Sequence, residues 1–183
     1  MAEPQDLKAS GDAELIRLAK SGEAVAFEEL YLRYRDWAFS LAFRFTRNEH
    51  DANDALQEAF LGFFSRIESF ELRCQLKTFL YTVVKNACAD LARKRAARPE
   101  QPLNAASEAE EAAKPGKDLA AEREQLLYWT SRLPEAQREV VLLRFGDGLE
   151  LNEIAEALDV PLGTVKSRLH KALESLRERV RPA

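Results

Sequence analysis

Apolar residues recur at steps of three and four along most of this chain, and that period commits it to helices packed on one another. Leu15, Ile16, Leu18 and Ala19 make a first stripe, with Asp12 placed to cap it and Gly22 to end it. Phe27, Leu30, Tyr31, Tyr34, Ala38, Leu41 and Phe45 make a second. A third, opened by Asp51, runs through Ala52, Ala55, Leu56, Ala59, Phe60, Phe63 and Ile67. The fourth carries Leu76, Phe79, Leu80, Val83, Val84, Ala87 and Leu91. Only 7 glycines and 7 prolines occur in 183 residues, so little interrupts these elements. Four amphipathic stripes close one helical core.

The rhythm then stops. ARPEQPLNAASEAEEAAKPGKD has Leu103 as its one large apolar residue and buries too little surface to offset the entropy of ordering. A flexible acidic linker is therefore expected over 96–118, with Glu100, Glu108, Glu110, Glu111 and Asp118 against Arg98, Lys114 and Lys117. Periodicity resumes with Leu119, Leu126, Leu127, Thr130 and Leu133. Pro134 suits the first turn of a further helix, where no N–H donor is needed. Val140, Val141, Leu143 and Phe145 supply the apolar side of that helix, and Gly146-Asp147-Gly148 stops it. The expected architecture is all-α: two small helical domains, 1–95 and 119–183, joined by the linker.

Charge is segregated along the chain. The formal net charge is -4, yet 75–98 holds six bases against Asp90 alone, a local +5. The last 22 residues hold six bases against two acids, a local +4, whereas the first seventy carry 13 acids and 8 bases. Local field decides contact with a polyanion, so two basic segments point to nucleic acid. Other classes lose ground. No run of about 18 apolar residues would span a membrane, and the opening residues lack the basic-then-apolar order of a signal peptide. Cys74, Cys88, His50 and His170 show no metal-ligand spacing, and two thiols make no disulfide framework. A reduced, cytoplasmic protein with no metal and no cofactor is expected. It also lacks a Gly-rich phosphate loop or a nucleophile-base arrangement, so no catalytic residues are assigned and no enzyme is expected.

The most specific pattern is LNEIAEALDVPLGTVKSRLHKALESL, which reads as a helix-turn-helix. Ile154, Ala155 and Leu158 bury one helix, and Val165, Leu169 and Leu173 the next. Ala155 is small where two helices cross, and Asp159 stands where a left-handed backbone is wanted. Thr164, Lys166, Ser167, Arg168 and Lys171 lie in the N-terminal half of the second helix, the part that enters a major groove. Lys and Arg there pair phosphates or guanine edges.

LPEAQREVVLLRFGDGLELNEIAEALDVPLGTVKSRLHKALESL resembles the fourth conserved region of sigma factors, especially the extracytoplasmic-function (ECF) group. DANDALQEAFLGFF resembles their second conserved region, which implies that Asp51, Asp54, Gln57 and Glu58 present an outward face to core RNA polymerase. FELRCQLKTFLYTVVKNACADLARKR resembles the promoter-melting segment. Lys77, Tyr81, Asn86, Arg93 and Lys94 are then expected on the -10 element, with Tyr81 exposed and the captured base near the Glu68–Gln75 loop. Family members often carry Trp where Phe79 stands, and Phe79 itself is expected on the buried face.

The resemblance implies a sigma factor that reads duplex DNA at -35 with its helix-turn-helix and holds a single strand at -10. It implies an anti-sigma factor as a further partner, and a linker passing through the polymerase's RNA channel. The alternative is a stand-alone helix-turn-helix regulator, which would need a ligand pocket or dimer seam in the first domain. A helical scaffold would leave both basic segments unexplained.

Overall fold

The computed structural model describes residues 7–72, 74–97 and 128–180, with side chains as far as 178. The chain divides into two compact units, 1–107 and 108–183. The expected linker, with Leu119, Leu126 and Leu127 beyond it, lies outside the described residues apart from Ala96 and Ala97.

The first unit contains α1 (Asp12–Lys20), α2 (Ala24–Thr46), α3 (Glu49–Phe64) and α4 (Leu76–Ala96), with short 3-10 turns at Leu7–Ala9 and Ile67–Ser69. α2, α3 and α4 pack on one another in all three pairings, and α1 lies against α2. The third stripe is buried in full, from Ala52 to Ile67. Leu30, Ala38 and Leu41 of α2 and Leu76, Leu80, Val84 and Ala87 of α4 close the core around it. Phe27, Tyr31 and Tyr34 sit at its margin, half-buried, where Phe27 meets Phe64 and Tyr31 meets Phe60 edge-on, each pair 5.1 Å between ring centres.

Two helix starts differ from expectation. Gly11 takes the cap position of α1, and Asp12 begins the helix. The Asp12 carboxylate is used elsewhere: it accepts from Arg33 Nη1 at 2.9 Å and from the Tyr34 hydroxyl. Arg33 also donates to Ser10 O at 2.9 Å, Lys8 O at 3.2 Å and Glu29 Oε1 at 3.1 Å, and so clamps the N-terminal turn onto α2. Burial opposes the guanidinium charge, but hydrogen bonds to Asp12 and Glu29 outweigh it and hold the Arg33 pKa above its ordinary value. α3 begins at Glu49, because Asn48 caps it by accepting from the Asp51 N–H at 3.0 Å.

The second unit contains α5 (Glu135–Val141), a wide π turn at Leu142–Gly146, α6 (Leu151–Leu158) and α7 (Leu162–Val180). Leu133, Val141 and Ala172 form a core against which Leu169 and Leu176 pack. Leu143, Leu149, Ile154 and Val165 are buried with them. The expected apolar side needs three corrections. Phe145 is 64 % exposed, because the π turn closes with the Asp147 N–H donating to Leu142 O and leaves Phe145 on its outside. Ala155 and Leu158 are half-buried while Ala157 is buried. Leu169 and Leu173 are half-buried, with Ala172 between them fully covered.

Glu150 and Glu153 form a reciprocal capping box at the start of α6, the Glu150 N–H donating to Glu153 Oε2 at 2.7 Å. Its far end is a Schellman turn: Val160 N–H donates to Ala155 O at 3.0 Å and Asp159 N–H to Glu156 O at 3.2 Å. Asp159 is left-handed at φ 52, ψ 49, as its place between the two helices led one to expect.

Two outcomes follow from these contacts. Arg33→Ala removes four acceptor contacts and should lower stability in urea unfolding by about 1–3 kcal/mol. Arg17→Ala removes only the exposed pair with Glu14 and should leave the midpoint unchanged. Asp159→Val puts a branched residue in the left-handed region and should cost about 1–2 kcal/mol, while Asp159→Gly should cost nothing measurable in the same assay.

Candidate nucleic-acid interface

In α7, the buried Val165 and Ala172 turn the opposite face outward. Lys166, Ser167 and Lys171 are exposed on that face, with Thr164 and Arg168 half-buried at its edges. The Thr164 N–H donates back to Pro161 O at 2.8 Å, which tightens the entry into the helix and holds its first turn beside the bend at Asp159. All five expected residues therefore lie on one half-helix. His170 extends the same face and lies 3.3 Å from Glu174 Oε1.

In the first unit α4 has three sides. The side toward the core is Leu76, Leu80, Val84 and Ala87. Outward stand Thr82, Asn86, Ala89 and Arg93, all exposed and spaced by four, three and four residues. Asn86 and Arg93 are thus brought together, and Arg93 makes an ion pair with Asp90 one turn back. The flanks differ. On one, Phe79 and Val83 border a cleft of about 680 Å³ with Phe63, Arg66, Phe70 and Cys74. That volume is in the range that takes small ligands. Phe70 and Phe79 lie 4.7 Å apart and Phe63 and Phe70 5.1 Å apart, so three rings wall the cleft beneath the loop after α3. Phe79 is half-buried here, not sealed in the core, because the cleft opens against it.

Tyr81 does not stand where it was expected. It is only 1 % exposed, held on the α2 side of α4 by Phe45, whose ring centre is 6.4 Å away. A residue covered so fully is a packing element of this face. Lys77 lies near the start of α4 with its ammonium 5.3 Å from the centre of the Trp37 ring. Lys94 points toward α3 and pairs with Glu58 at 3.0 Å.

The expected docking residues separate likewise. Gln57 and Glu58 are exposed, and Asp54 is half-buried with His50 Nε2 3.7 Å from its Oδ2. Together with Leu61, Gly62, Ser65 and Leu91 these three border a shallow groove. Leu61 is 70 % exposed there, an apolar centre that the polar pattern of the sequence did not mark. Asp51 is not part of the face. It is 8 % exposed and ion-paired with Arg95, because its helical position turns it toward the end of α4.

Cys88 is buried, with its thiol 3.9 Å from Ala42 O, and burial pushes its pKa up to about 11. A thiol so held is no nucleophile near neutral pH. Among the described residues no group of three or more His, Cys, Asp or Glu is placed to hold a metal, and no helix is long and apolar enough to cross a membrane.

Comparison with known proteins agrees with this arrangement. Residues 30–98 match the family description of sigma-70 region 2, and residues 130–178 match sigma-70, region 4. The chain is 31 % identical to the ECF RNA polymerase sigma factor SigW of Bacillus subtilis, covering 91 % of this chain and 95 % of that protein. It is 32 % identical to the ECF RNA polymerase sigma-E factor of Escherichia coli K12, covering 93 % and 95 %. Two solved structures share its fold. CnrH, in complex with the cytosolic domain of CnrY, has a TM-score of 0.65 at 21 % identity over 92 % of this chain and 96 % of that one. RpoE of Bartonella quintana, in complex with the anti-sigma factor NepR, has a TM-score of 0.63 at 23 % identity over 85 % and 98 %. With both regions present in order and near-complete coverage by its relatives, this chain belongs to the ECF RNA polymerase sigma factors.

Proposed function

We propose that the first unit docks on core RNA polymerase through Gln57, Glu58 and Leu61 and traps the unpaired strand at -10, while the second reads duplex DNA at -35. One observation carries this reading. α4 presents Asn86 and Arg93 to solvent beside a cleft walled by Phe63, Phe70 and Phe79. A polar and cationic face next to a cluster of tilted and edge-on rings suits an extruded base and the phosphates that flank it. The surface of α7 has the make-up of a recognition helix, with Lys166, Ser167 and Lys171 outward and Arg168 at the edge. Promoter opening is then driven by binding energy, with no bond made or broken by this chain, and the protein works in the cytoplasm beside the polymerase. An anti-sigma factor is the natural regulator, as in the complex of its fold relative with NepR.

Docking and melting are separable by mutation. Gln57→Ala with Glu58→Ala should abolish retention of the chain by immobilised core polymerase. Helical content should not change, and each substitution should cost no more than about 0.5 kcal/mol. Unfolding of that variant would mean the pair supports the helix bundle instead.

Asn86→Ala with Arg93→Ala should leave the closed complex nearly intact and sharply reduce permanganate reactivity of thymines near -10. A template carrying a pre-melted bubble should recover part of the activity, because the few kcal/mol of unpairing are supplied in advance. Equal loss of closed and open complexes would assign these two residues to duplex binding or to folding.

A further inference from the structure

The face of α3 proposed for docking becomes smaller toward its end. Asp54, Gln57 and Glu58 border the shallow groove first, and about one turn later Leu61, Gly62 and Ser65 border it, joined by Leu91 of α4. Gly62 is exposed there and is a residue that neither the backbone nor the packing of this chain requires. It lies in the last turn of α3, ahead of Phe63 and Phe64. Its backbone is not left-handed, since Gly22 and Gly148 are the described glycines with positive φ. The helix is closed beyond it, where the Ser65 N–H donates to Leu61 O at 2.9 Å and the Ser65 hydroxyl to Gly62 O at 3.1 Å.

A Cβ added at Gly62 would meet nothing within 4 Å, so no neighbour within the chain needs the space. Glycine is the least favourable helix residue after proline, because it loses the most backbone freedom on folding. Alanine at this position would therefore strengthen α3 without a clash. What glycine offers in exchange is access: with no Cβ on the surface, another body can come into contact with the helix backbone itself. The place where that access opens is also apolar. Leu61 beside it is 70 % exposed, and Leu91 adds a second apolar side chain from α4.

We infer that Gly62 is a positioning residue for docking, the point at which core RNA polymerase packs directly on the α3 backbone. Leu61 is then buried beside it, and Gln57 and Glu58 supply the polar end of the same contact. This rests on the reading that α3 docks on polymerase, and it adds a steric requirement to what was a set of polar contacts. Gly62 also borders the ring-walled cleft, so a promoter strand is the other candidate for the space. Charge favours polymerase. α3 carries Glu49, Asp51, Asp54 and Glu58 with neither Lys nor Arg, and carboxylates beside the groove repel phosphates.

The test measures affinity of the full chain for immobilised core polymerase with no DNA present, beside urea unfolding of the free chain. Gly62→Ala should raise the unfolding midpoint and weaken polymerase binding about fivefold. Gly62→Gln, with a straight side chain that suits a helix, should be at least as stable as the parent and weaken binding by about tenfold or more. A glycine with only a structural role would not move stability and binding in opposite directions. Parental affinity in a folded Gly62→Gln variant overturns the inference. Should that variant fail to fold, Gly62→Ala decides, and parental affinity there overturns it equally. Normal polymerase binding with a loss of promoter opening would move the role of Gly62 to the ring-walled cleft, which also overturns it. Binding lost in Gln57→Ala/Glu58→Ala but kept in both Gly62 variants rejects the close approach and leaves the docking reading standing. Binding kept in all three sinks both.

Discussion

Seven alanines are buried on the three helices α2, α3 and α4, which pack on one another: Ala26, Ala38 and Ala42, then Ala52, Ala55 and Ala59, and finally Ala87, none more than 6 % exposed. Side chains that short let the helix backbones approach closely, and the larger residues Leu30, Leu41, Leu56, Phe60, Phe63, Leu80 and Val84 fill the space around them. Any of these alanines made larger would have to be accommodated by moving a helix, since interiors have little free volume. The contact therefore sets the rotation of α4 about its own axis. That rotation decides which residues line the ring-walled cleft, which face solvent and which meet α2.

Charge is then distributed across the same contact. Asp51 at the start of α3 and Arg95 at the end of α4 form an ion pair in which the carboxylate is nearly covered. Its value lies in tying two helix ends together, with Asn48 capping the helix on which Asp51 sits. Glu58 and Lys94 make a comparable bridge farther along, but both are largely exposed. Exposed pairs contribute little, so either partner is available to another surface at small cost. α3 thereby offers acids outward while α4 offers bases, and the two proposed partners are met by different helices of one small unit.

In the second unit a different device does the orienting. The bend at Asp159 closes a Schellman turn at the end of α6, and Pro161, just before α7, accepts from the Thr164 and Val165 N–H groups of its first turn. Packing of Val165 and Ala172 into the core fixes the roll of α7 and so turns Lys166, Ser167 and Lys171 outward. Electrostatic attraction to DNA is unspecific by itself, and the proposed reading of base edges depends on this fixed roll, which presents a defined set of side chains to solvent.

Helical class, the number of apolar stripes in the first unit, the left-handed Asp159 and the basic half of α7 were all legible in the sequence. Each depends on spacing or on the local backbone demands of one residue. Tertiary packing alone decided the margins of those stripes. Asp51 looked like an outward acid and is covered by α4, whereas Tyr81 looked exposed and is sealed under Phe45. Phe145 looked buried and was turned out by a π turn. Phe45, counted among the core residues of α2, keeps an open face at the α2–α4 edge. A period of 3.6 residues says which side chains share a helix face. It carries no information on how wide a strip of that face a neighbouring helix will cover, because that width is set by the distance and rotation of two helices brought together from distant parts of the chain.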